Sequence, residues 1–128
     1  VQPVLLQECI AGGAWRGLRV FGWGERVLGG MVRTSGGDFR SNLARGGKAE
    51  AYPVDEGAAQ LSLKIARLLR LDYCGIDYLF GKDGLLVCEV NSNAFFQGFE
   101  GATGVNVAGA YAEHILAKLA ADGRRAER

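Results

Sequence analysis

Apolar and polar positions alternate along the first third of the chain, and that period predicts strands. VLLQECI (residues 4–10) reads as a first strand, followed by the glycine-rich connection AGGAWRG. LRVFGW and RVLGGMVRT flank Gly24-Glu25, a two-residue hairpin signal. The next stretch, SGGDFRSNLARGGK, has no clear period and is long for a plain connection, which points to function. The period then becomes helical. Asp55 is placed as an N-cap after Pro53, with Ala58, Leu61, Ile65, Leu68 and Leu69 on the apolar face. CGIDYLF and LLVCEVN form two strands around GKDG, and NAFFQGFEGATG reads as an irregular connection. A last helix is expected from about residue 106 to about residue 121, carrying Val107, Ala110, Tyr111, Ile115 and Leu119 on one face, before a frayed polar tail, DGRRAER. Neither a repeat nor a linker interrupts this pattern, which describes one α+β unit.

The pairing of CGIDYLF with LLVCEVN decides which side chains share a face. A three-residue loop, Lys82-Asp83-Gly84, sets Leu79 opposite Val87, Asp77 opposite Glu89 and Gly75 opposite Asn91. Cys74, Ile76, Tyr78 and Phe80 then join Leu86, Cys88 and Val90 on an apolar face, while Asp77, Glu89 and Asn91 share the other. A two-residue Asp83-Gly84 turn is also legal but moves Asp77 opposite Cys88; the first register separates the faces more cleanly. Two carboxylates directly opposite each other repel. A hard divalent cation suits such an oxygen-only cluster, and magnesium, which keeps phosphate oxygens among its ligands, would imply a nucleotide. A solvated edge explains the pair equally well, and spacing alone does not choose.

Composition narrows the class. The 128 residues suffice for one modest domain, and 48% apolar with 23% charged residues is ordinary for a globular protein. A net charge of +1 gives no field for nucleic acid or a membrane surface, and no apolar run approaches the roughly 20 residues of a membrane span. The 20 glycines call for many tight turns. Cys9, Cys74 and Cys88 are odd in number and sit in apolar runs, so they read as reduced core thiols in the cytoplasm. The start at Val1, directly before a strand, suggests a piece of a longer protein.

GIDYLF followed by LLVCEVNSN, with GDFRSNLARGG upstream and GATGVNVA downstream, resembles the C-terminal part of ATP-grasp ligases of the RimK type, the ribosomal-protein glutamate ligases and their relatives. The resemblance runs from VLLQECI to the final helix. It implies an α+β ATP-grasp C-terminal subdomain, a mainly antiparallel sheet covered by helices, with the N-terminal domain and first ATP-grasp subdomain absent. It implies that Asp77, Glu89 and Asn91 hold magnesium, or manganese in its place, on the phosphates of ATP. LLQECI matches the strand that receives adenine, with Glu8 accepting from the amino group and the backbone of Cys9 and Ile10 pairing with the ring edge. Arg40 matches the residue that approaches the phosphates and the transferred acyl phosphate, and Asn42 and Arg45 lie in the same loop as substrate contacts. The implied reaction joins a carboxylate donor, glutamate being the family example, to an amine acceptor, small molecule or peptide. Relatives commonly assemble, so a homo-oligomer is in view.

One position departs from the pattern. GLR stands where the family has D-x-R, so Gly17 replaces the acid while Arg19 remains, which puts a nucleotide contact in doubt. No G-x-x-x-x-G-K-[ST] sequence replaces the absent phosphate-binding parts, so the chain alone is expected to be inactive. The alternative reading is a non-catalytic nucleotide-binding module or a relic. His114 reads as a packed or boundary histidine, and Phe95, Phe96 and Phe99 as packing beside the site.

Overall fold

The computed structural model describes residues 2–10, 16–35 and 47–126. Among these, five strands form one antiparallel sheet with three helices. The elements run β1 (Arg16–Trp23), β2 (Arg26–Thr34), β3 (Lys48–Tyr52), α1 (Glu56–Leu68), β4 (Tyr73–Gly81), β5 (Gly84–Asn91), α2 (Gln97–Thr103) and α3 (Val107–Ala126). The strand order is β3-β2-β1-β4-β5. This is the expected α+β architecture. Gly24, at φ +55°, turns β1 into β2, a conformation glycine adopts without the cost a Cβ imposes.

Alternation gives the sheet two inner faces. On one, Leu18, Val20, Val32, Cys74, Ile76 and Tyr78 pack against Ala66, Leu61 and Ile65 of α1. Asp55 caps α1 as expected, its Oδ1 accepting from the Ala58 amide at 2.8 Å. On the other face, Phe21, Trp23 and Met31 meet Phe99 of α2 and Val107 of α3. Phe21 and Phe99 lie 4.8 Å apart between centroids, and burying each such ring contributes about 1.5–3 kcal/mol. Glu100 Oε1 accepts from the Val107 amide at 2.7 Å and Asn106 Oδ1 from the Gly109 amide at 2.8 Å, which starts α3.

Several elements differ from the sequence expectation. Residues 4–10 form no strand: no described strand lies beside them to pair with their amides, and Val4, Leu5 and Leu6 are exposed. The unpredicted β3 pairs with the far end of β2. NAFFQGFEGATG contains α2, which Gly104 ends in the left-handed conformation, φ +72°. The last helix continues through the polar tail to Ala126. Its apolar stripe packs at Val107, Ala110 and Tyr111 but leaves Ile115 and Leu119 exposed, as Leu68 and the C-cap residue Leu69 of α1 are exposed.

Candidate functional site

α2 and α3 pack against Phe21, Trp23 and Met31, at one end of their face of the sheet. The other end of that face carries charge. Register aligns Arg19 with Asp77 and Asp77 with Glu89, so one row across β1, β4 and β5 reads Arg, Asp, Glu. The next row on the same face aligns Gly75 with Asn91. Gly75 is required: a Cβ there would lie 2.6 Å from Ala94 Cβ, with the Arg19 stem 3.5 Å away. Tyr73 secures the turn after β5 by donating its hydroxyl to the Ala94 carbonyl at 2.6 Å. Burial pushes the Tyr73 phenol up to about 12, which keeps it a donor.

The predicted pairing of Asp77 with Glu89 and of Gly75 with Asn91 is observed, but the path to it is corrected. The loop is the two residues Lys82-Asp83, followed by Gly84 at φ +135°, and Tyr78 lies opposite Val87. A bulge then places Cys88 as the extra residue before Glu89. Cys88 therefore leaves the apolar face expected for it and is exposed, and Phe80 faces Leu85, which packs in the core in place of Leu86. Cys9 is also exposed, and only Cys74 of the three is buried.

Asp77 is buried, 8% exposed. Arg19 donates to it twice, Nε to Oδ1 at 2.6 Å and Nη2 to Oδ2 at 2.6 Å. Arg33, from the end of β2, makes an ion pair with Oδ1 at 3.2 Å. The repulsion between Asp77 and Glu89 is thus offset by two guanidiniums. Asp77 raises the pKa of Arg19 by hydrogen bonding, whereas burial lowers that of Arg33, only partly countered by Asp77. Arg33 Nε is buried with no hydrogen-bond partner among the described residues. Its cross-strand neighbour on β1 is Gly17, which offers no side chain. The sequence reading did not include Arg33: the plain Gly24-Glu25 hairpin register sets it opposite Arg16, and only the irregularity between Phe21 and Gly22 shifts it opposite Gly17 and onto the Asp77 face.

The donor set fits a hard cation. Asp77, Glu89 and Asn91 supply oxygen only, on adjacent strands. A carboxylate offers about four lone-pair positions; the guanidiniums engage Oδ1 twice and Oδ2 once, which leaves room at Oδ2. Among the described residues no three His, Cys, Asp or Glu come together, so the asparagine is needed to complete a set. Glu8 and Cys9 are exposed and Ile10 half-buried in the irregular N-terminal segment. Arg40, Asn42 and Arg45 lie outside the described residues. His114 is a boundary residue as expected, stacked on Tyr111 and 3.2 Å from Asp72 Oδ1.

An ATP-grasp ligase shares this fold. The ligase PsnB, solved with a phosphomimetic variant of its minimal precursor, Mg and ADP, superposes with a TM-score of 0.72 at 26% identity, over 87% of this chain and 34% of that one. Residues 1–115 match the RimK-like ATP-grasp domain, and the chain belongs to that family. It is 38% identical over 119 residues to a probable alpha-L-glutamate ligase of Rhodopirellula baltica, covering 92% of this chain and 29% of that protein. It is 40% identical over 119 residues to beta-citrylglutamate synthase B of Danio rerio, covering 91% of this chain and 29% of that protein. The chain therefore spans under a third of the length of these two relatives.

Proposed function

We propose that this chain is the metal and nucleotide half-site of an ATP-dependent carboxylate–amine ligase that adds an amino acid such as glutamate to an amine. The observation that carries the reading is the row Arg19, Asp77, Glu89 with Asn91 beside it, on a sheet face where cationic and oxygen-donor side chains adjoin. Asp77, Glu89 and Asn91 would hold magnesium or manganese, which offsets charge on the phosphates of bound ATP. Arg40 approaches the transferred phosphoryl group, Asn42 and Arg45 contact substrate, and Glu8 with the Cys9 and Ile10 backbone receives adenine.

The chemistry needs no side-chain nucleophile. A donor carboxylate oxygen bonds the terminal phosphorus of ATP as the bond to the bridging oxygen breaks and ADP leaves. The amine nitrogen then bonds the acyl carbon, the carbon–oxygen bond to phosphate breaks, and the nitrogen loses a proton. Arginines at the phosphates lower the cost of the charge that develops. The test is ADP production by the full-length protein across panels of acids and amines, peptides included. Formation that requires both partners supports the reading; no ADP with any pair sinks it.

A further inference from the structure

We propose that Arg33 is a removable counter-ion of Asp77, which weakens binding of a free divalent cation at the site and yields to a cation that arrives with a phosphate anion. The proposal rests on the nucleotide reading above and specifies how that site is controlled.

The two guanidiniums on Asp77 are held differently. Arg19 makes two short, parallel bonds from the directly opposing strand position. Arg33 reaches Asp77 through one nitrogen at 3.2 Å. Its Nε is a buried donor without an acceptor among the described residues, and Gly17 across the strand has no side chain to supply one. A buried unpaired donor is costly and marks a place where an oxygen is expected. Arg33 is thus the one of the pair with more to gain from a second anion.

Charge sets the order of events. Arg19 and Arg33 balance Asp77 and Glu89, so the four groups sum to zero. A bare divalent cation would sit beside two guanidiniums while Arg33 occupies Oδ1 of one of its ligands. A cation carried on a nucleoside diphosphate brings its own negative charge. Arg33 then turns to a phosphate oxygen, its Nε gains an acceptor, and Oδ1 is released to the cation. Cation and nucleotide each raise the affinity of the other, and the coupling is reciprocal.

The experiment measures free Mn2+ by electron paramagnetic resonance during titration of the full-length protein, with and without ADP. Wild type is compared with Arg33→Met and Arg33→Lys, and Arg33→Gln replaces the methionine variant should thermal unfolding show that it does not fold. Removing one nearby positive charge is expected to tighten Mn2+ binding without nucleotide by at least about tenfold. The same change should reduce the gain that ADP confers. Arg33→Lys keeps the charge and should stay near wild type. ADP binding with unchanged free-Mn2+ affinity in Arg33→Met overturns the counter-ion role alone, as does an equal rise in Arg33→Lys. Absence of ADP binding in the wild type ends the nucleotide reading and the coupling with it.

Discussion

Tyr78 and Asp77 are neighbours on β4 and point to opposite faces, and the two faces solve the problem of buried polarity differently. Tyr78 is fully buried, yet its hydroxyl lies 2.7 Å from the Ser62 hydroxyl, which in turn donates to the Ala58 carbonyl at 2.7 Å. Every polar atom named there has a partner inside the fold, and the face is closed by α1. Among the described residues Asp77 is held by two arginines, and one of them keeps a buried donor unpaired. A folded core completes its own hydrogen bonds, whereas a binding surface leaves some for its ligand. The difference is what the proposed site at Asp77 rests on.

The strongest way to break the comparison is Asp77→Ala. It leaves Arg19 and Arg33 without their shared counter-ion, and removing one partner from a buried ion cluster costs about 3–5 kcal/mol. Urea unfolding should show a loss near the lower end, since the far side of the cluster is open to water. Magnesium-dependent nucleotide binding should vanish with it. Equal magnesium-ATP affinity in this variant and wild type would mean that the acidic pair is only a solvated edge.

A smaller effect is expected at Gly75→Ala. The added carbon meets Ala94 Cβ at 2.6 Å, so the turn after β5 must move. Overpacking of this kind costs about 1–3 kcal/mol. The displaced turn follows Asn91 directly, so cation binding should weaken together with stability. A loss of stability with unchanged cation affinity would separate Asn91 from the site.

On the closed face, Ser62→Ala strands the Tyr78 hydroxyl, at a cost of about 1–3 kcal/mol. Tyr78→Phe should cost less, because Ser62 retains the Ala58 carbonyl. Neither change should alter nucleotide or cation affinity by more than twofold, about 0.4 kcal/mol. Denaturant midpoints and binding titrations on the same preparations check both halves. Altered binding would show that the two faces are coupled through β4.

What the sequence disclosed follows from which forces are local. The α1 cap at Asp55, the Gly24 turn and the alternation on β4 are set by neighbouring residues, and all were legible. The pairing of Asp77 with Glu89 was legible too, although the expected three-residue loop was in fact a two-residue loop plus a bulge at Cys88, two one-residue differences that cancel before Glu89. Leu86 lay between them and Cys88 is the bulge itself, so both were assigned to the wrong face. Residues 4–10 carry a strand-like pattern, but a strand is completed by a neighbour, and alternation says nothing about whether one is present. The role of Arg33 depends on three strands meeting in register, which no single segment encodes.

The smallest expected effect lies away from both faces, where α3 meets the start of β4. Asp72 Oδ1 is 2.9 Å from Lys118 Nζ and 3.2 Å from His114 Nε2, and its backbone carbonyl accepts from the Gly24 amide at 2.8 Å. The hydrogen bond from Lys118, and then that from His114, holds the Asp72 carboxyl below its ordinary value. A carboxylate whose folded pKa is depressed contributes stability that is fully present above its unfolded pKa, near 3.9. That contribution is lost as pH falls through the lower folded value. Melting temperatures recorded from pH 6 down to about pH 2.5 should therefore fall more steeply for wild type than for Asp72→Asn below about pH 4. The gap at pH 6 should be small, because Asp72 and Lys118 are substantially exposed and surface pairs contribute little. Parallel curves would mean that α3 is held without this polar contact, by Val107, Ala110 and Tyr111 and the Glu100 cap, and that the contact, unlike the one at Asp77, carries no free energy of its own.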